Sequence, residues 1–331
     1  MKIKKEMIDP ELYRKGKILD LLPMRTEKDF RRNEKLGRRV SQGKKSEKIL
    51  CQDLEIIKRD GKKLRICVYS PLKQTEEKIP GILWTHGGGF ACGLPESEIA
   101  VYEQLIEWSP CVIVSPDYRL SVEAPFPAAI EDCYDALLWL YQHTQMLGVR
   151  SDQLFLGGGS AGGGLAVALA MMTRDRGKVN IAFQMPLYPM LDNTMSTESM
   201  KDNNCIGWNE AKNRVGWRMY LGENFQSPEV SKYASPSRET DYTNLPPAFT
   251  YVGSCDPFCD ETQDYIQNLK KVGIEAECTV YQGGYHAFEM NSPQAKISIK
   301  ARNNFRQAFQ HAIKTYFVPQ KEEANKNESY C

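Results

Sequence analysis

A serine stands among glycines at Gly158-Gly159-Ser160-Ala161-Gly162, directly after the apolar run Leu154-Phe155-Leu156 and before the run Leu165-Ala166-Val167-Ala168-Leu169-Ala170. A strand that turns this tightly into a helix needs residues without a Cβ around the turn, and it leaves the central side chain exposed at the helix N-terminus. The segment therefore predicts strand, turn and helix, with Ser160 as a candidate nucleophile. The spacing alone carries little weight, because 19 Ser and 24 Gly shuffled over 331 residues would produce it about 0.1 times. Its surroundings must decide.

Those surroundings alternate. Cys51 to Ile57 and Leu64 to Tyr69 read as a hairpin about Asp60-Gly61. Then come a strand at Gly81 to Thr85, a helix at Ser97 to Trp108, a strand at Cys111 to Ser115 and a helix at Pro127 to Tyr141. The strand Gln153 to Gly157 delivers Ser160, a helix covers Leu165 to Met172, and a strand covers Ile181 to Tyr188. Residues 190–235 interrupt the rhythm with Asn, Asp, Ser, Met and Trp around one helix, Glu210 to Leu221, and read as an insertion. The alternation resumes with Ala248 to Val252, Glu261 to Lys271, Ala276 to Tyr281 and a last helix from about Ala295 to Phe317. Such a pattern implies a mainly parallel sheet with helices on both faces. Ahead of it, Asp9-Pro10-Glu11 reads as a cap and first turn, so residues 1–50 are expected to be mostly helical. The domain reading is an N-terminal helical segment at 1–50, a catalytic α/β domain at 51–318 and a short polar, disordered tail at 319–331.

Charge and cysteine usage limit the class of partner. The formal net charge is +1, which argues against a nucleic-acid binder. Residues 1–50 carry 16 Lys and Arg against 8 Asp and Glu, the pattern of a solvated helix face that would also suit an anionic surface. No apolar run follows the basic start, and none reaches the ~18 residues of a membrane span. The ten cysteines are scattered, several in apolar runs, as in a reducing cytosol, so a cytoplasmic protein is expected. Cys255 and Cys259 alone make a poor zinc site, and no motif implies a metal or an organic cofactor.

Four strand ends carry unusual loops: His86-Gly87-Gly88-Gly89-Phe90, the Ser160 turn, Asp256-Pro257, and Gly283-Gly284-Tyr285-His286. Shuffling would produce the His-Gly-Gly-Gly run about 0.0015 times, so it is a strong signal. Serine is a poor nucleophile without a base, and the base needs a third group to hold its tautomer. Of four histidines, His143 and His311 fall within helices, and His86 suits a bracing role in the glycine loop, which leaves His286 as base. Asp256 gives the chain order Ser, Asp, His of an α/β-hydrolase arrangement, with Asp260 as its rival, placed to cap the following helix. The backbone N–H groups of Gly88, Gly89 and Ala161 are the candidate donors for an oxyanion.

These residues resemble those of the bacterial hormone-sensitive-lipase-like esterases, a family of α/β-hydrolases. The resemblance runs from about residue 80 to 290 through His86 to Phe90, Asp117-Tyr118-Arg119-Leu120, Pro125 to Ala129, Gly158 to Gly163, Asp256 to Glu261 and His286-Ala287-Phe288. It implies Ser160 as nucleophile, His286 as base, Asp256 as its orienting acid, an eight-stranded sheet, and a helical cap formed by the N-terminal segment and the 190–235 insertion. Two departures stand out. Gly159 occupies the place where relatives usually carry Asp, and Ser121-Val122-Glu123-Ala124 replaces Ala-Pro-Glu-His. The expected function is a serine carboxylester hydrolase acting on small-molecule esters with short or medium acyl chains. A cap lined by Met190, Leu191, Met195, Ile206, Trp208, Trp217 and Met219 is the basis for that chain length, although the same residues would serve as the cap's own core. A ligand-binding protein without catalysis and an amidase using the same triad are the alternatives. The last strand and helix leave a homodimer open.

Overall fold

The computed structural model describes residues 1–21, 23–73 and 75–321. Eight strands form one sheet: β1 (Ile49–Ile57), β2 (Lys63–Pro71), β3 (Ile79–Thr85), β4 (Val112–Pro116), β5 (Val149–Gly159), β6 (Phe183–Leu187), β7 (Ala248–Gly253) and β8 (Ala276–Tyr281). They lie in the order β1-β2-β4-β3-β5-β6-β7-β8. β1 and β2 form the expected hairpin, β2 pairs antiparallel with β4, and every later pairing is parallel. The swap of β4 and β3 puts a change of direction in the strand order beside β3 and β5, and in such sheets the carboxyl ends at that place form the crevice.

The central strands are apolar on both sides, and a period of two sends alternate residues to two cores. Leu83, Val112, Val114, Leu154 and Leu156 join one core, while Ile82, Trp84, Ile113 and Phe155 join the other. The first core is covered by α4 (Ala128–Gln142), α5 (Ala161–Arg176) and α7 (Cys259–Lys271), the second by α3 (Ile99–Trp108) and α9 (Lys296–Thr315). Helix α5 is buried continuously from Ala161 to Thr173, so its apolar residues need no stripe. Its first turn is glycine for a packing reason as well: a Cβ on Gly162 would sit 2.0 Å from the carbonyl oxygen of Thr85. The helix that carries the serine can therefore press its N-terminus onto the end of β3.

The N-terminal segment forms α1 (Pro10–Leu19), with Asp9 accepting the Glu11 N–H as the expected cap, and α2 (Glu27–Ser41), capped by Thr26. Arg38 of α2 reaches Asp117 at the end of β4 with two hydrogen bonds of 2.8 and 3.0 Å, and Phe30 packs edge-on against Trp208 of the insertion at 6.1 Å. The insertion contains α6 (Glu210–Leu221), bounded as expected. Its polar composition is not a surface feature. Asn193, Ser199, Asn203, Asn213 and Ser235 are buried, and their side chains bond backbone or other side chains, as Asn203 does with the carbonyls of Ser199 and Cys255. The short α8 (Phe288–Asn291) follows the β8 loop. The polar tail begins docked rather than free: Asn180 Nδ2 donates to the Pro319 carbonyl, and Gln320 Nε2 donates to the carbonyls of Ser151 and Asn180. Residues 322–331 of that tail lie outside the described residues.

Candidate active site

The turn after β5 places Ser160 at φ 59°, ψ −123°, a left-handed position for a residue with a side chain. Three backbone bonds hold it there, since the Ser160 N–H donates to the Leu187 carbonyl and the Ser160 carbonyl accepts from Gly164 and Met190. A positive φ costs a non-glycine residue on the order of 1 kcal/mol, and it persists where the surroundings over-determine it. The result is a hydroxyl that lines a cavity although the residue is nearly buried.

His286, on the loop after β8, meets that hydroxyl. Its Nε2 is 2.8 Å from Ser160 Oγ, and its Nδ1 is 2.8 Å from Oδ2 of Asp256 on the loop after β7. Asp256 is fully buried, and its other oxygen accepts the Phe258 N–H at 2.9 Å. A carboxylate only accepts hydrogen bonds, so Nδ1 carries the proton and Nε2 is left to accept the serine O–H. Asp260 lies elsewhere: its Oδ2 accepts the Ser199 N–H at 2.7 Å, so it ties α7 to the insertion. Three loops from three strands therefore bring Ser160, Asp256 and His286 together.

Of the remaining histidines, His86 and His311 take the places expected of them, and His143 stands just past the end of α4 rather than within it. His86 stacks on Tyr118 with ring centroids 4.1 Å apart, its Nδ1 donates to the Gly87 carbonyl, and its own carbonyl accepts from the Tyr118 hydroxyl. Burial lowers the His86 imidazole to about 4, which suits a brace and not a base. His143 donates to the Trp139 carbonyl at the end of α4, and His311 lies exposed on α9.

Gly88 and Gly89 line the same cavity. Gly88 has φ 123° with no room for a Cβ, which would lie 1.9 Å from the Cys92 carbonyl oxygen, and Gly89 has φ 61° with Trp208 at 2.5 Å from the same imagined atom. Their N–H groups donate to no acceptor among the described residues, whereas the Gly87 N–H donates to Glu98 and the Gly93 N–H to Glu34. Ala161, which follows Ser160, opens α5 and is fully buried.

The cavity holds about 340 Å³, and its walls include Met24, Ser97, Glu98, Tyr188, Trp208, Met290 and Asn291. Of the insertion residues expected to line it, Trp208 does. Met190, Leu191, Met195 and Trp217 belong to the larger core, Met219 packs against it, and Ile206 belongs to the smaller one. Tyr188, Glu98 and Asn291 escape sequence reasoning, because no spacing marks a wall built from separate loops. Among the described residues, Asp53, Cys67 and Glu96 converge closely enough to suggest a metal site, but Arg65 already bonds both carboxylates and supplies the positive charge. No helix of the described residues is long and apolar enough to cross a membrane.

Residues 82–290 match the model of a protein family described as alpha/beta hydrolase fold. The chain belongs to the α/β-hydrolase family. Among relatives, this hydrolase is 29% identical to an arylesterase of Saccharolobus solfataricus, over 88% of its own length and 95% of the arylesterase. It is 31% identical to an AB hydrolase superfamily protein of Schizosaccharomyces pombe, and there the match spans 62% of each chain. Among solved structures, a bacterial heroin esterase superposes with a TM-score of 0.85 at 30% identity, covering 93% of this chain and 98% of that one. The resemblance to the esterases of this family holds, as do the α/β-hydrolase fold and the expectation of an enzyme of the esterase class.

Proposed function

We propose that the protein is a serine carboxylester hydrolase that forms an acyl-enzyme on Ser160. The observation that carries this reading is the single imidazole of His286, hydrogen-bonded at 2.8 Å to Ser160 on one side and to Asp256 on the other. In the first half-reaction Ser160 Oγ attacks the ester carbonyl carbon while His286 Nε2 takes the hydroxyl proton, and Asp256 stabilises the imidazolium. The tetrahedral oxyanion faces the N–H groups of Gly88, Gly89 and Ala161, each donor contributing about 3 to 4 kcal/mol of barrier lowering in comparable sites. Collapse expels the alcohol, which leaves with the proton from His286. Water then attacks the acyl-enzyme with His286 again as base, and the acid is released as Ser160 regains its proton.

The substrate is a small ester with a short acyl chain. A cavity of about 340 Å³ walled by Trp208, Tyr188, Met24 and Met290 favours few methylene groups, each worth roughly 0.8 kcal/mol when buried. Residues 1–50 and the 190–235 insertion act together as a cap, and the contact of Phe30 with Trp208 supports that grouping. The chain works in the cytoplasm, a location in keeping with nine described cysteines that are all unpaired.

Purified protein should hydrolyse a nitrophenyl acetate or butyrate, and Ser160→Ala should lower kcat by on the order of 10⁴-fold or more. A fluorophosphonate should label Ser160 in the parent and fail to label His286→Ala. An unchanged rate in Ser160→Ala rejects the reading. Faster turnover of a matched amide than of the ester replaces it with an amidase.

A further inference from the structure

Glu98, the residue before α3, is a buried carboxylate on the wall of the catalytic cavity, and the reaction above leaves it without a part. Its Oε1 accepts the Gly87 N–H at 2.7 Å, and its Oε2 accepts the indole N–H of Trp84 on β3 at 2.5 Å. Gly87 begins the loop whose next two N–H groups, on Gly88 and Gly89, are unpaired among the described residues. At the far end of that loop a second carboxylate, Glu34 of α2, accepts the Gly93 N–H at 3.0 Å. The glycines between these anchors have wide backbone freedom, so the direction of their N–H groups depends on what fixes the first peptide. An oxyanion hole is useful only when its donors are already aimed.

We propose that Glu98 is the positioning residue of the glycine loop: its ionised carboxylate pins Gly87, and thereby turns the N–H groups of Gly88 and Gly89 toward the place beside Oγ of Ser160 where the oxyanion forms. The proposal rests on the reading of Ser160 as nucleophile. The ionised form is the effective one because both oxygens of Glu98 face N–H donors. A carboxylate accepts both bonds, whereas the neutral acid adds an O–H with no acceptor on either side. Glu98 is bonded to the indole of Trp84 and the Gly87 amide, and the groups near enough to act on it through charge are Tyr102, Tyr118, Tyr188 and the carboxyl of Glu289 on α8. They are neutral groups and a second acid. Burial raises the Glu98 carboxyl to about 7, opposed by the two hydrogen bonds and reinforced by Glu289, so its charge changes within the working range of an enzyme.

The experiment measures kcat and KM for nitrophenyl acetate from about pH 5 to 9 in the parent, Glu98→Gln and Trp84→Phe, with thermal melts as a check of folding. In the parent, Glu98 must be ionised for the loop to be set, so the acid limb of log kcat/KM should be steeper than in a variant that lacks this carboxyl. Glu98→Gln should show a shallower acid limb than the parent, with kcat roughly tenfold lower or more and KM within about threefold. Trp84→Phe removes one donor from the carboxylate and should move the acid limb to higher pH. This variant decides the matter alone if Glu98→Gln does not fold. A Glu98→Gln enzyme with the parent's kcat and slope, or an acid limb unmoved in Trp84→Phe, overturns the proposal. A parent with no ester hydrolysis overturns the hydrolase reading instead.

Discussion

Oγ of Ser160 lies 2.8 Å from Nε2 of His286 although 126 residues of chain separate them. The distance depends on Asp256, which holds the imidazole by its other nitrogen. Asp256→Asn keeps the shape but can present an N–H to Nδ1, which then becomes the acceptor and leaves the proton on Nε2, facing the serine. We expect kcat for a short nitrophenyl ester to fall by about 10⁴-fold, with fluorophosphonate labelling of Ser160 slowed to match. A loss below about tenfold would show that Asp256 does not orient the base.

Trp208 sits where a side chain at position 89 would go, because a Cβ on Gly89 would lie 2.5 Å from its ring. The same ring is 6.3 Å from that of His286 and forms part of the cavity wall. Gly89→Ala should therefore lower kcat by roughly 10²-fold, the scale of one lost oxyanion donor. Adding Trp208→Leu should recover part of that loss by removing the clash, but not all of it, since φ 61° still costs alanine on the order of 1 kcal/mol. Trp208→Leu alone should raise the kcat/KM ratio of hexanoate over acetate esters. A double variant no faster than Gly89→Ala would show that the clash with Trp208 is not what limits the loop.

Arg38 and Asp117 bind the N-terminal segment to the sheet. Burial pushes the Asp117 carboxyl up, but the Arg38 guanidinium and its hydrogen bonds outweigh this and hold it below the ordinary Asp value. A carboxyl depressed in the folded state adds stability in full above its unfolded pKa, near 3.9, and loses it as pH falls through the lower folded value. Arg38→Ala should cost about 1.5 to 3 kcal/mol at pH 7, the range for bonds to a charged group. The gap between parent and variant should narrow below about pH 4. Denaturant melts at both pH values check this, and a gap that widens in acid would contradict the sign.

The nucleophile turn and the hairpin were legible in the sequence because each rests on local chemistry: glycines at a turn, and Asp-Gly between alternating runs. The choice between Asp256 and Asp260 was not local. Both stand at one strand end, and only the packing of Ser199 against α7 takes Asp260 away from the histidine. Glu98 and Tyr188 were invisible for a related reason. Glu98 meets Trp84 and Gly87, and Tyr188 meets Glu289, through contacts made only in the fold, and their types carry no pattern of their own. The burial of the insertion's polar residues was not legible either, since composition cannot show that Asn203 is buried with its bonds made to backbone.

Gly159, where the family usually carries Asp, has room for a side chain. A Cβ there would lie 3.4 Å from Cε2 and Oη of Tyr188, an ordinary contact, and the backbone is not in the left-handed region. Gly159→Asp should therefore fold, with a change in stability within about 1.5 kcal/mol. Its carboxylate would enter a pocket where the Tyr188 hydroxyl already donates to Glu289 at 2.7 Å and where Glu98 is also buried. A further negative charge makes the carboxyl of Glu98 hold its proton longer. The acid limb of kcat/KM should consequently move to higher pH, while kcat on the alkaline plateau stays within a few-fold of the parent. A limb that stays at the parent's position would mean that the new carboxyl is neutral at position 159 or turns away from the site, and a limb that moves to lower pH would contradict the sign.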